Sequence, residues 1–553
     1  MSKINRLVLS IALLIGFCSS AFADEKHDFQ NTKNLDIFFN LYKQLDQFYV
    51  DSIKPEKVIR SGIEAMLANL DPYTNYIAEE NLEDFKFITT GEYGGIGSMV
   101  ASNKGNIYIS EPYEDMPAAK AGLKAGDLIL EIDGKPVKGK NISQTSDMLK
   151  GQPNTPLKIK IQRGEKAKPQ EFTITRQKIT ISTVPYFGVL KDSTGYILIT
   201  SFTDKTSGEV KNAFTALKDK HIKSLIIDLR GNGGGIMEEA IKVINFFVPK
   251  GVEVVSTKGK VKQWDRVYKT PFEPLDTEIP VAVMVNSGSA SASEIVAGSL
   301  QDLDRAVIIG ERSFGKGLVQ TTRPISFNGS LKVTTAKYYT PSGRCVQALD
   351  YSHRKADGSV GAIPDSLTHV FKTKNGRSVR DGGGVTPDIK TEDEKTPNIL
   401  FYLMNDFIVF DFATKYVSTH PTIATVAEFG ITDEEYTQFK EYVKSRNFTY
   451  DRQSEKSLKE LEEVTKFEGY YEGAEPEFKA LKAKLTHDLD KSLTIFSSDI
   501  KQLLGSEIIK RYYYQKGEIA YSLRDDKEIK KAIETVSNFK SYTEILSPTP
   551  KKK

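Results

Sequence analysis

Cysteine is nearly absent from this 553-residue chain, which holds Cys18 and Cys345 alone. That excludes a disulfide framework and a cysteine-built zinc site. Histidine is scarce too: His27, His221, His353, His369, His420 and His487 show no metal-ligand spacing and no HExxH motif. A metal centre would have to rest on carboxylates, and no cofactor is expected. Net charge is almost nil, with 76 Lys and Arg against 73 Asp and Glu, a formal +3. This argues against a nucleic-acid binder. No run after the N-terminus approaches the roughly 18 apolar residues of a membrane helix, so no stable membrane anchor is expected.

What is present is an ordinary globular balance, 39% hydrophobic, 10% aromatic and 27% charged, which excludes wholesale disorder. At about 150 residues per domain the length suggests three to four domains. The first 23 residues read as a signal peptide. Lys3 and Arg6 are basic, Leu7 to Phe17 is apolar but short, and Ala21-Phe22-Ala23 is a cleavage signal before Asp24. Removal takes two positive charges, leaving +3 − 2 = +1, and takes Cys18. Phe17 stands where a lipoprotein signal needs a small residue. The chain is expected to be exported, to the periplasm first and to the medium second.

Beyond the leader, four regions differ in texture. Residues 24–88 are expected to be helical, because Leu35, Phe38, Phe39, Tyr42, Leu45 and Tyr49 recur at three-to-four spacing, a face that packs against a neighbour. Residues 89–178 open on Gly91, Gly94, Gly95 and Gly97 and continue in short strands, with Leu157, Ile159 and Ile161 alternating. Residues 179–392 read as α/β: Tyr196–Thr200, Ser224–Leu229 and Pro280–Asn286 are compact apolar strands followed by helical or glycine-rich sequence. Residues 393–553 carry five of the 40 glycines and read as helices, among them Leu458–Phe467 and Phe478–Leu489. The fold class is α+β, multidomain.

Three segments carry chemistry. The strand ending at Asn286 runs through Ser287-Gly288-Ser289-Ala290-Ser291-Ala292-Ser293-Glu294 into an apolar-periodic helix. A hydroxyl at such a helix start lies beside unpaired N–H groups and a favourable dipole, which suit an oxyanion. The plainer reading is a capping box, Ser291-x-x-Glu294, with the serine only starting the helix. A second segment, Gly310-Glu311-Arg312-Ser313-Phe314-Gly315-Lys316-Gly317, follows the strand-like Ala306–Ile309. A lysine in a tight, dry site loses basicity and can act as a general base, so a Ser-Lys dyad needs no histidine. Gln320, four residues on, shares a face with Lys316 and could orient it. The same stretch is almost a phosphate-binding loop, but Gly317 replaces the hydroxyl that would ligand magnesium. The third segment, Asp228-Leu229-Arg230-Gly231-Asn232-Gly233-Gly234-Gly235, is a strand entering a turn rich in N–H groups; it supplies a second oxyanion donor beside Ala292 or is merely a tight turn.

In this order the chain resembles the C-terminal processing peptidases, or tail-specific proteases. The match covers residues 65–390: Leu70 to Tyr76, Tyr93 to Gly97, Pro117 to Asp127, Ile132 to Gly134, Asp228 to Gly235, Ser289 to Ile295, Phe314 to Gly317, Tyr339 to Arg344 and Gly382 to Asp388. The resemblance implies N-terminal helices, an inserted PDZ domain, a crotonase-like α/β peptidase core and a helical C-terminal region. It implies domains at 24–88, 89–178, 179–392 and 393–553. It makes Ser291 the nucleophile, Lys316 its base and Gln320 the residue that orients the lysine. It maps the oxyanion hole to the N–H groups of Ala292 and Gly234, and substrate-tail binding in the PDZ domain to Gly94, Gly95, Ile96 and Gly97. The implied function is a serine endopeptidase acting near protein C-termini, on substrates with a free tail. A noncatalytic PDZ scaffold on the same fold is the other reading. The helical regions could bind an adaptor or form a homo-oligomer. Cys345 reads as a small apolar residue rather than a nucleophile.

Overall fold

The structure is a computed structural model that describes residues 27–547, except 165–166, 356, 392–395 and 486–487. The expected signal peptide, residues 1–23, lies outside the described residues. No helix among them is long and apolar enough to cross a membrane.

Two units divide the chain: Met1–Tyr76 with Thr322–Val333, and Ile77–Thr321 with Thr334–Lys553. In the first, residues 27–48 and Pro55–Ala68 are helical. The turn after them is locked by Asp71, whose Oδ1 accepts from the N–H groups of Tyr73 and Thr74, both at 2.8 Å. The expected apolar row is not packed away: Leu35, Phe38, Phe39 and Leu45 are exposed among the described residues. Helical periodicity names a face but not what covers it.

In the second unit the chain enters the module expected to be a PDZ domain through β1 (Glu92–Gly95). The module continues with β2 (Ser98–Asn103), β3 (Asn106–Pro112), β4 (Leu128–Ile132), helix α1 (Ile142–Leu149), β5 (Pro156–Gln162) and β6 (Gln170–Thr175). It leaves through β7 (Gln177–Thr180), which pairs antiparallel with β1. The sheet order β2-β3-β4-β5-β6 leaves β2 at an edge. Leu157, Ile159 and Ile161 alternate into its core, as their period of two requires.

The region expected to be the peptidase core has a six-stranded sheet: β8 (Tyr186–Val189), β9 (Thr194–Leu198), β10 (Ser224–Asp228), β11 (Val281–Val285), β12 (Val307–Gly310) and β13 (Ile389–Lys390), neighbouring one another in chain order. β8 is antiparallel to β9, and β9 to β13 are parallel. Right-handed crossovers between strands laid down in sequence put every crossover helix on one face. Helices α2 (Thr206–Asp219), α3 (Met237–Asn245) and α4 (Ala292–Asp302) accordingly share one core with Ile197, Leu225, Ile227, Val283 and Ile308.

The opposite face bears Tyr196, Ile226, Ala282, Met284, Val307 and Ile309, and something distant must cover it. The end of the chain does so. Leu523, Ile529, Ala532, Ile533, Val536, Tyr542 and Leu546 pack there. They are carried by and around α6 (Lys527–Ser537) and α7 (Phe539–Ile545). Before these comes α5 (Ser497–Ser522), which breaks at Tyr514 (φ 54°, ψ −163°). In an unbroken helix Gly505 and Tyr521 would stand about 24 Å apart. Here a Cβ on Gly505 would lie 2.2 Å from the Tyr521 hydroxyl, so the helix folds back on itself. The PDZ module rests on this helical region. Tyr108 meets Phe407 at 6.1 Å, Glu114 pairs with Lys516 at 2.9 Å, and Gly126 abuts Thr414.

Candidate active site

Ligands of parallel α/β sheets bind beyond the carboxyl ends of the strands. The three chemistry-bearing segments leave the sheet there: Leu229–Gly235 after β10, Asn286–Ser291 after β11 and Glu311–Lys316 after β12. The structure thus brings together what the sequence separates by about 90 residues.

The three serines of Ser289-Ala290-Ser291-Ala292-Ser293 have different duties. Ser289 is fully buried; its hydroxyl donates to Leu229 O at 2.8 Å and accepts from Asn286 N at 2.9 Å. Ser293, also fully buried, donates to Asn232 O at 2.9 Å. Both hydroxyls stitch one loop to the next. Ser291 is half-buried and has φ 56°, ψ −113°, a left-handed conformation uncommon for a side-chain-bearing residue. Backbone strain of this kind clusters at reactive positions.

Glu294 makes the return half of the capping box and more. Its carboxylate is fully buried and accepts four hydrogen bonds. Oε2 takes the N–H of Ser291 at 2.9 Å and of Lys316 at 2.8 Å; Oε1 takes the Ser313 hydroxyl at 2.6 Å and the Gly315 N–H at 2.7 Å. Ser313 in turn accepts from Val385 N at 2.6 Å, so its proton points at Glu294. Burial pushes the Glu294 carboxyl above its ordinary range, while the four donors favour the anion. The segment that carries the lysine is thereby bound to the segment that carries the serine.

Lys316 is half-buried, between Gly315 (φ 88°) and Gly317. A Cβ on Gly315 would lie 2.4 Å from Ala348 Cβ, and one on Gly317 2.9 Å from Gln347 N, so only glycine allows this close passage. Gln320 lies on the strand Leu318–Pro324, and its amide nitrogen donates to Thr334 Oγ1 at 3.1 Å. That commits the nitrogen and leaves the amide oxygen as the atom able to accept from a lysine. The buried Tyr338 donates its hydroxyl to Ser291 O at 3.2 Å.

The glycine-rich loop lies directly against the serine. A Cβ on Gly234 (φ 98°) would sit 2.8 Å from Ser291 Cβ and 2.9 Å from Ala292 N. Yet the Gly234 N–H donates to Asn232 Oδ1 at 2.8 Å. The N–H expected to serve an oxyanion is thus engaged within its own turn. Asn232, fully buried and anchored through Nδ2 to Ile199 O at 2.8 Å, consumes that N–H to shape the turn. What the structure shows of Gly234 is its close approach to Ser291. Ala292 stands at the first position of α4, where an N–H has no helical partner.

In the PDZ module the expected tail-binding residues separate. Gly94 and Gly95 lie in β1, opposite Lys178 and Gln177 of β7, and Gly94 O accepts from Gly151 N at 3.0 Å. The structure places these two in the ribbon at the entrance to the module. Ile96 and Gly97 stand at the head of the edge strand β2, Gly97 with φ 70°. Between β2 and α1, Val100 and Met148 are half-buried against the core. An edge strand beside a helix is the geometry for adding a peptide strand. Buried Arg176 fixes α1 by donating to Met148 O at 3.0 Å and Leu149 O at 3.1 Å.

Residues 193–352 match the model of peptidase family S41, residues 108–163 a PDZ domain, and residues 399–536 the C-terminal helical domain of probable PDZ-proteases. A carboxy-terminal-processing protease of Bartonella bacilliformis is 40% identical over 325 residues, 58% of this chain and 74% of that one. The chain belongs to the carboxy-terminal-processing proteases of peptidase family S41. It is a serine-type peptidase with a PDZ domain. A probable CtpA-like serine protease of Staphylococcus aureus is 34% identical over 315 residues, 57% of this chain and 62% of that one. Among solved structures, the photosystem II D1 C-terminal processing protease is 28% identical, with a TM-score of 0.36, over 65% of this chain and 93% of that one.

Sequence reasoning missed Glu294 as more than a helix start, and missed Asn232 and Tyr338. The Ser-x-x-Glu spacing was the available signal for the first; the partners of the other two depend on the fold.

Proposed function

We propose that Ser291 and Lys316 form a serine–lysine dyad in an exported, periplasmic endopeptidase that cleaves near the C-terminus of proteins whose free tail the PDZ groove captures. The observation that carries this reading is the single carboxylate oxygen of Glu294 that receives the N–H groups of both Ser291 and Lys316.

In this reading Ser291 Oγ attacks the substrate carbonyl carbon while neutral Lys316 Nζ takes its proton. The oxyanion accepts from the Ala292 N–H and from a neighbour of Gly234 in the loop, Gly233 or Gly235. Collapse breaks the peptide C–N bond, and Lys316 returns the proton to the departing amine. Water, deprotonated by the same lysine, then frees the acid from Ser291 Oγ. The Gln320 amide oxygen orients the lysine. A dry site favours this cycle because an uncharged lysine costs less there than a charged one. At the groove, the tail adds a strand to β2, its carboxylate meets N–H groups at Ile96 and Gly97, and its last side chain enters the apolar space by Val100 and Met148.

The test uses the chain from Asp24 onward and an unfolded protein with an apolar C-terminus, free or amidated. Cleavage that is lost in Ser291→Ala and weakened by amidation supports both parts. Equal cleavage of the two substrates removes tail capture; cleavage by Ser291→Ala removes the nucleophile.

A further inference from the structure

The helix that covers the bare face of the sheet begins beside the glycine-rich loop. Asp526 caps α6, with Oδ1 accepting from Ile529 N at 2.9 Å. Its other oxygen, Oδ2, accepts from the Arg230 guanidinium at 2.8 Å. Two residues on, Glu528 Oε2 accepts from the same guanidinium at 2.6 Å. Glu528 Oε1 accepts from the Thr391 hydroxyl just after β13. Arg230 lies four residues before Gly234, on the loop that touches Ser291.

Arg230 does not need α6 to be satisfied within its own loop. Asp228 is buried, takes the Arg230 backbone N–H at 2.9 Å and its side chain at 2.7 Å, and is itself held by the Tyr196 hydroxyl at 2.9 Å. Three carboxylates therefore meet one guanidinium. Planar, forked donors suit such a junction, because each acceptor fixes a direction as well as a distance. The attachment of α6 to the sheet does not depend on it either: Ile529, Ala532, Ile533 and Val536 already bury an apolar stripe there. The helix is held by hydrophobic burial, so the bonds of Asp526 and Glu528 to Arg230 are not needed to keep it on the sheet.

Resting on the proposed dyad, we infer that α6 is a positioning element of the active site. Asp526 and Glu528 hold Arg230 and through it fix the glycine-rich loop at the distance from Ser291 that oxyanion binding requires. The C-terminal region, folded against the PDZ module at one end, thus completes the catalytic centre at the other. Displacing the loop by a fraction of an ångström weakens an interaction made chiefly in the transition state, with little effect on substrate binding.

The variant that tests this is Asp526→Ser with Glu528→Ala. Serine keeps the helix cap but cannot reach Arg230. Arg230→Lys, which keeps the charge and loses the fork, is the companion. The readouts are kcat and KM on an unfolded substrate, affinity for a tripeptide boronic acid, affinity of the PDZ groove for a free tail peptide, and the melting temperature. The boronate forms a tetrahedral adduct whose oxygen occupies the oxyanion hole. We expect kcat to fall about tenfold or more, boronate affinity to fall by the same factor, and KM and tail affinity to stay within about twofold. Two results would overturn the inference: unchanged kcat and boronate affinity in a folded double variant, or tail affinity falling as far as kcat. Wild-type cleavage that persists in Ser291→Ala would instead remove the reading on which the inference rests.

Discussion

Ser291 and Lys316, 25 residues apart in sequence, donate their backbone N–H groups to one oxygen atom, Oε2 of Glu294, at 2.9 and 2.8 Å. The relative placement of the proposed nucleophile and base is therefore set through a buried carboxylate rather than by their side chains alone.

Glu294→Gln should separate the two. A carboxylate accepts on both oxygens, whereas an amide turns its NH2 toward one pair of donors. Two of the four N–H or O–H groups then lose their acceptor in a site without water to replace it. We predict a fall in kcat/KM of about a hundredfold. Circular dichroism should stay unchanged, and Ser291 should react more slowly with a fluorophosphonate.

Gly234→Ala tests close approach. The added methyl would sit 2.8 Å from Ser291 Cβ, at a φ of 98° that alanine rarely adopts. Peptide cleavage should fall by at least about a hundredfold. Gly231→Ala, at φ 70° but in open space, should cost backbone strain alone. Equal losses in the two variants would mean that proximity to Ser291 is irrelevant.

Cys345 should be silent. Burial pushes its thiol above the ordinary range, so little thiolate exists near neutrality. Iodoacetamide at pH 8 should leave the folded protein unmodified and label it once unfolded. Cys345→Ala should cleave within about twofold of wild type.

The seat of the PDZ module on the helical region should depend on pH. Oε1 of Glu111 is buried without a hydrogen-bond partner among the described residues. Burial raises its carboxyl; Glu518 and Glu507 raise it further, and Lys510 opposes them. A carboxyl with a raised native pKa binds its proton more tightly folded than unfolded. Its contribution is most favourable at low pH and is lost as pH climbs from the unfolded value, about 4.3, through the native one. Glu111→Gln should therefore melt about 2 °C above wild type at pH 8, a gap that closes toward pH 4. A gap that widens on acidification would reverse the sign of this argument.

Much of this was legible in the sequence, and the exceptions have physical causes. The apolar runs of β10, β11 and β12 announce strands buried on both faces, and their small-residue ends announce the site. The stripe Ile529, Ala532, Ile533, Val536 announces an amphipathic helix. Nothing local says that it lies on a sheet more than 200 residues earlier. The fold-back at Tyr514 has no glycine or proline at its apex to mark it. That Asn232, two residues before Gly234, takes the Gly234 N–H was not legible, because the turn geometry makes that choice. Glu294 was visible as the end of a Ser-x-x-Glu pattern, but its two donors from the lysine segment, Gly315 and Lys316, come from the loop after another strand.

The most direct test of the account is covalent. The chain from Asp24 onward, with Ser291→Ala, Lys316→Ala and Ser289→Ala, is treated with a fluorophosphonate and mapped by peptide mass spectrometry. The account predicts a single adduct on the peptide holding Ser291, retained in Ser289→Ala, absent in Ser291→Ala and strongly slowed in Lys316→Ala. An adduct on Ser289 or Ser293, or labelling of Ser291 at an undiminished rate without Lys316, would contradict it.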